Sequence, residues 1–260
     1  VNRGVVYALA AALLFGLSTP LAKLALDKAQ PMLTAGMLYL GSGIGLAVVR
    51  WIRVGRGAAR KETPLARADL PWLAGAILAG GVVAPVLLLF GLQGTSASAA
   101  SLLLNLEAVA TAAIAWLVFR ENVDRRVGLG FAAILLGGVV LTLPGSGNVG
   151  LSRGALLVAG ACICWGIDNN LTRRISGSDP SQIAMGKGFV AGGVNAGLAL
   201  LMGENLPAVK TMLGVGVIGF FGYGVSLVMF VMALRHLGAA RTGAYFSTAP
   251  FAGAAFALVI

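Results

Sequence analysis

The chain alternates long uncharged runs with short polar punctuation. Residues 4–22, 29–49, 70–106, 127–152, 211–234 and 242–260 contain no Asp, Glu, Lys or Arg. A helix that crosses a bilayer needs about 20 consecutive apolar residues. The run 70–106 is too long for one crossing and contains Gly94-Thr95-Ser96, a turn-prone triplet, so it divides there. Nine spans follow, near 4–26, 31–52, 71–92, 95–118, 127–144, 154–175, 181–202, 208–234 and 239–260. Their connections are short, and the longest polar one is 53–70. The pattern predicts an all-α polytopic membrane protein.

Composition excludes most alternatives. Hydrophobic residues make up 58% and charged residues 11% of the 260, and the mean hydropathy is +0.91. A soluble domain is nearer 45–50% apolar and about 25% charged, and could not hide this much apolar surface. A soluble enzyme, a DNA-binding domain and a disordered chain are therefore set aside, and no nucleic-acid partner is expected. No cleavable signal peptide is visible, because the first apolar run is too long.

The net charge of +10 becomes a topology signal in a membrane protein. Arg3, Arg50, Arg53, Arg56, Arg60, Lys61, Arg67, Arg120, Arg125, Arg126, Arg173, Arg174, Arg235 and Arg241 all fall at the N-terminus or after an even-numbered span. The other connections hold only Lys28, Arg153 and Lys210. This places the N-terminus and the even-numbered connections in the cytoplasm, in a multi-pass protein of the plasma (inner) membrane.

The two halves resemble each other. Span four opens with Gly94 and small residues and carries Glu107 mid-span; span nine opens with Gly238-Ala239-Ala240 and carries Pro250 mid-span. Phe15-Gly16 in span one matches Trp165-Gly166 in span six. Five spans per copy is an odd number, so the second copy enters the membrane from the opposite side, as in many secondary transporters. The expected repeats are 1–147 and 148–260. Ten helices are expected of such a 5+5 bundle; nine are present in this sequence, and the second repeat is read as lacking its last helix.

Three segments carry a family resemblance: LLLNLEAVATAAIAWLVFRE (102–121), ACICWGIDNNLTRR (161–174) and GAYFSTAPFAGAAFALV (243–259). With the two five-helix repeats, they resemble the EamA family of the drug/metabolite transporter superfamily across essentially the whole chain. Within it, the chain is similar to aromatic amino-acid exporters of the YddG type. The resemblance implies a plasma-membrane carrier of small metabolites. One departure stands out, since span four has Glu107 where the family pattern commonly has Pro.

Ionisable groups inside a bilayer are costly, roughly 2.5–3.5 kcal/mol on insertion scales, so each is a functional candidate. Glu107, near the midplane, can bind a substrate ammonium, carry a proton, or serve as a protonated structural carboxyl. Asp168 and Lys187 lie at nearly equal depth on either side of the turn near Gly177, which predicts an ion pair between spans six and seven. Its role is a structural clamp or, alternatively, substrate binding or gating, and losing one partner should hurt more than swapping both. Phe15, Ser18, Thr19, Asn105, Asn169, Trp165, Tyr223, Tyr245 and Ser247 complete the candidate substrate site. Ser18-Thr19-Pro20 is expected to interrupt span one. Pro20, Pro85 and Pro250 are candidate hinges, since a proline frees a backbone carbonyl. Trp51, Trp72 and Trp116 sit near span ends, where interfacial anchoring is the simpler reading. Gly188, Gly192 and Ala196 form a small-residue face for close helix contact.

Other matches carry no chemistry. Gly214, Gly216 and Gly219 fit a dinucleotide fingerprint, but no strand precedes them and no acidic residue follows at the required spacing. Cys162 and Cys164 are two apart on a helix and point away from each other, so they cannot close a metal site together. Asn170-Leu171-Thr172 fits a glycosylation acceptor but lies within a span. His236 is the only histidine, leaving no hydrolytic constellation. No cofactor is expected. The expected function is alternating-access export of small metabolites, amino acids including aromatic ones first. The alternative is efflux of lipophilic cations; an intramembrane enzyme and a channel are the other classes considered. The partners are a small-molecule substrate, the lipid bilayer and protons as a candidate coupling ion. The residues do not specify an oligomeric state.

Overall fold

The computed structural model describes residues 2–26, 30–56, 62–93, 103–122, 125–142 and 153–258, and all the regular structure among them is helical. Spans one and two are Arg3–Leu26 and Pro31–Gly55. Span three is Arg67–Gln93, and span four has its helix at Leu106–Leu117. Spans five, six and seven are Arg125–Thr142, Arg153–Ile175 and Pro180–Leu201, and span eight is Val209–Leu237. Span nine comprises Ala239–Phe246 and Ala249–Ala257. Six of these helices are long and apolar enough to cross a membrane. The Gly94-Thr95-Ser96 break and the boundary between 147 and 148 lie outside the described residues.

The sequence reading needs three corrections. Span nine is not one helix, because a turn at Ser247 and Thr248 breaks it. Span four has a similar turn at Leu104 and Asn105, which separates helical Leu103 from the helix Leu106–Leu117, and its expected start near 95 lies outside the described residues. Span one, by contrast, is not interrupted; the helix runs through Ser18, Thr19 and Pro20 to Leu26. Ser18 and Thr19 both donate their hydroxyls to the Phe15 carbonyl, and the Gly16 carbonyl that Pro20 cannot reach lies against Gly253.

Spans three and eight share a feature that periodicity does not reveal. Each widens into a π-helical segment, Ile77–Val83 in the first and Phe220–Val225 in the second. Such segments interrupt the regular i→i−4 ladder and are frequent at functional sites.

Helix pairing follows the repeat. Span one packs on spans eight and nine, and span six packs on spans three and four. Spans two and seven pack on each other; span two also meets span eight, as span seven meets span three. Exchanging each span with the one five places on leaves this pattern unchanged. The central crossing is antiparallel, since Gly36 meets Ala196 while Gly43 meets Gly188. Spans two and seven, equivalent in the expected repeat, therefore run in opposite directions. The crossing is close because the small face of span seven lies there. A Cβ on Gly188 would lie 2.6 Å from the Gly43 nitrogen.

Large apolar side chains face outward along the spans, including Val6, Leu9 and Leu13 on span one and Leu213, Val217 and Phe221 on span eight. An apolar surface this extensive suits lipid rather than water. Trp51 and Trp116, 77% and 60% exposed, lie at span ends, the interfacial position.

Candidate functional site

The two half-broken helices place the central chemistry. Glu107 is the second residue of the helix that starts at Leu106, and Pro250 is the second residue of the helix that starts at Ala249. The first turn of a helix tolerates Pro, whose missing N–H has no partner to lose there. It also favours an acidic side chain, through the partial positive charge of the helix N-terminus. The same helical position thus holds Glu in span four and Pro in span nine. The carbonyls freed at the breaks are also satisfied. Cys162 donates its thiol to the Leu103 carbonyl at 3.4 Å, and Ser247 and Thr248 donate their hydroxyls to the Ala244 and Tyr245 carbonyls.

Spans three, four, six and seven form a polar wall. Asn169 donates to Glu107 Oε1 at 3.1 Å and to Thr111 Oγ1 at 3.0 Å. Asn170 donates to the Thr111 and Gly166 carbonyls at 2.9 and 2.8 Å. Lys187 pairs with Asp168 Oδ1, which also accepts from the Thr172 hydroxyl. Among the described residues, Glu107 has no cation at ion-pair distance. The polar wall therefore contains one neutralised carboxylate and one carboxyl held by a neutral amide.

The π-helical segment of span three supports this wall. Pro85 has no N–H, so Gly81 loses its α-helical partner and Gly80 its π-helical one. Span six supplies the replacement for Gly80, with Trp165 Nε1 donating to its carbonyl at 3.0 Å. Span seven does so for Gly81, with Asn195 Nδ2 donating at 2.8 Å. Trp165 is thus tied to a backbone carbonyl by the edge of its ring. Gly80 also makes room for the ion pair, because a Cβ there would lie 2.1 Å from Asp168 Oδ2.

Spans one, two, eight and nine form an aromatic wall. Phe15 packs against Tyr223 and Phe246, with ring centroids 5.3 and 5.4 Å apart. Tyr39 meets Tyr223 edge-on at 5.3 Å, and Phe230 meets Phe246 at 4.8 Å. Tyr39 also packs against the core cluster that holds Ile77 of span three and Ala191 of span seven. Ser18 is buried against Gly222 in the span-eight π-segment, and the partly buried Asp168 lies against Gly80 in the span-three segment.

The structure gathers some sequence candidates and separates others. Glu107, Asn169, Asp168, Lys187 and Trp165 stand on the polar wall, Phe15 and Tyr223 on the aromatic one. Asn105 occupies the turn before the span-four helix. Thr19 is exposed and its hydroxyl bonds within its own helix. Tyr245, 37% exposed, faces away; its neighbour Phe246 takes the place in the aromatic cluster. The sequence reading noted Asn170 only as a polar residue within span six, and it missed Thr111 and Asn195 as parts of the wall. Each is a polar residue deep in an otherwise apolar span, and Thr111 lies one helical turn from Glu107, so the signal was present.

The sequence profile of the EamA-like transporter family matches this chain twice, over residues 2–143 and 152–260. The chain belongs to the EamA-like transporter family. As an EamA protein it is a multi-pass membrane transporter of the drug/metabolite type, with lipid around it and a small-molecule substrate. It is 32% identical over 273 residues to an uncharacterized transporter of Methanothermobacter thermautotrophicus, covering 99% of this chain and 79% of the relative. It is also similar in fold to a solved crystal structure, with a TM-score of 0.76 at 17% identity, covering 98% of this chain and 87% of the other.

Proposed function

We propose that this EamA transporter is a secondary exporter of small amphipathic metabolites, amino acids including aromatic ones first. It works by alternating access between the repeats 1–147 and 148–260. The observation that carries this reading is the pairing of an aromatic wall with Glu107, a membrane-embedded carboxyl not paired with a cation among the described residues. An aromatic face suits an apolar side chain or a cation, and the carboxylate suits an ammonium. Asp168 is occupied by Lys187, so Glu107 is the group left to recognise positive charge. The crossings on small residues and the two π-helical segments give the halves surfaces on which to rock. The arginine-rich ends favour a cytoplasmic N-terminus in an inner-membrane protein.

The test is flux of labelled amino acids into proteoliposomes with and without a pH gradient. Uptake above empty vesicles supports the reading, and no such uptake for any amino acid overturns the substrate class. The second reading, efflux of lipophilic cations, is favoured by the same isolated carboxyl. It predicts that Glu107→Gln abolishes cation transport and spares neutral substrates.

A further inference from the structure

Glu107 is held by one oxygen only. Asn169 donates to its Oε1 at 3.1 Å. Among the described residues nothing donates to its other oxygen, Oε2, and that atom is not enclosed. Asn169 itself has little freedom. The same Nδ2 donates its second hydrogen to Thr111 Oγ1 at 3.0 Å. Glu107 and Thr111 are one helical turn apart on one face of span four, so the amide bridges that turn. An ionised Glu107 requires the N–H edge of the amide, because the amide oxygen would set one acceptor against another.

Thr111 is the fixed end of this chain. It is fully buried, and its carbonyl accepts from Asn170 at 2.9 Å. Gly166 brings span six so close that a Cβ there would lie 2.9 Å from the Thr111 nitrogen. Backbone and hydroxyl of Thr111 are thus both held against span six. Without the hydroxyl, the second N–H of Asn169 would be an unpaired buried donor, a costly state that the amide escapes by turning. Glu107 would then lose the group that fixes its carboxylate.

We propose that Thr111 and Asn169 are positioning residues, which hold Glu107 by Oε1 and offer Oε2 to an ammonium that carries N–H. The site then selects primary amines over quaternary ones. A single open carboxylate oxygen is a directional acceptor, and a primary ammonium gives it a charge-assisted hydrogen bond. A quaternary ammonium has no N–H to give and is recognised by aromatic faces gathered around it. The rings of the aromatic wall are tilted or edge-on to one another, and each such contact uses part of a face that a cage would need. The inference rests on the reading of Glu107 as the group that meets positive charge, and it narrows the substrate class to amino compounds.

The test compares 2-phenylethylammonium with trimethyl(2-phenylethyl)ammonium, which share ring and charge and differ in N–H. Each is titrated by calorimetry into the full chain in lipid nanodiscs, and only binding that disappears in Glu107→Gln is counted. The primary ion should bind about tenfold tighter, as a hydrogen bond to a charged group is worth. Thr111→Val keeps the side-chain shape and should bring the ratio near one by weakening the primary ion alone. Thr111→Ser retains the hydroxyl and should keep the preference. A merely structural defect would weaken both ions alike and leave the ratio unchanged. The wild-type ratio needs no variant: equal binding of the two ions overturns the inference and leaves Glu107 as the charge-recognising group. A preference that survives Thr111→Val, or that Thr111→Ser loses equally, overturns the positioning role. Binding of neither ion defeats both the inference and the reading of Glu107 beneath it.

Discussion

Asn195 donates its side-chain amide to the Gly81 carbonyl at 2.8 Å, and Gly81 is the residue whose α-helical partner would be the missing N–H of Pro85. One half of the protein thus satisfies a backbone group that a proline in the other half has left open. The bond ties span seven to the π-helical segment of span three, beside the ion pair. In a membrane, where water does not reach such a carbonyl, the tie fixes where that segment sits.

This relationship predicts a compensating pair. Asn195→Leu should lower stability by about 1–2 kcal/mol, the range for hydrogen bonds between membrane helices. Pro85→Ala restores an N–H and should reduce the cost of Asn195→Leu when the two are combined. Unfolding of the four proteins in detergent measures the cycle. Strictly additive effects would show that the carbonyl does not couple them.

The Asp168–Lys187 pair predicts strong non-additivity. Lys187→Met alone leaves a buried carboxylate uncompensated and should cost about 3–5 kcal/mol. Adding Asp168→Asn removes that charge and should recover most of the loss. Thermal stability of the single and double variants decides this, and a double variant worse than either single one would contradict it.

Gly80 and Gly222 predict the effect of a single methyl group at matching places in the two halves. A Cβ at Gly80 would meet Asp168 Oδ2 at 2.1 Å, and one at Gly222 would meet the Ser18 Cβ at 2.2 Å. Each change to Ala should cost about 1–3 kcal/mol by overpacking. Ser18→Gly removes the obstructing carbon and should rescue Gly222→Ala. It should leave Gly80→Ala unaffected, as measured by melting temperature.

Arg120 predicts a stabilising change. It ends span four at φ 54°, a left-handed conformation that glycine adopts freely. The turn lets the Glu121 nitrogen donate to the Ala115 carbonyl at 2.9 Å, and it aims the Glu121 carboxylate at the Ala239 nitrogen, 2.9 Å away at the start of span nine. Arg120→Gly should raise stability by about 0.5–1 kcal/mol, because the left-handed strain disappears and the cap remains. Loss of stability would mean that the Arg120 side chain matters more than its backbone.

The spans were legible in the sequence because the bilayer imposes a simple rule: about 20 apolar residues per crossing, with positive charge gathered on one side. The odd span count and the matched positions of Phe15 with Trp165 and Glu107 with Pro250 lead to the expectation of an inverted repeat. Glu107, Asp168 and Lys187 were identifiable because charge within a span is rare. The tertiary structure alone decided which neighbour each residue meets. Helical periodicity cannot show that spans four and nine break midway, since a few polar residues such as Asn105, Ser247 and Thr248 are equally compatible with an unbroken span. It cannot show the π-helical segments either, which depend on Trp165 and Asn195 arriving from distant spans to satisfy Gly80 and Gly81. For the same reason Tyr245 looked as good a candidate as Phe246. The two are adjacent in sequence and about 100° apart around the helix, and only packing determined that Phe246 joins Phe15.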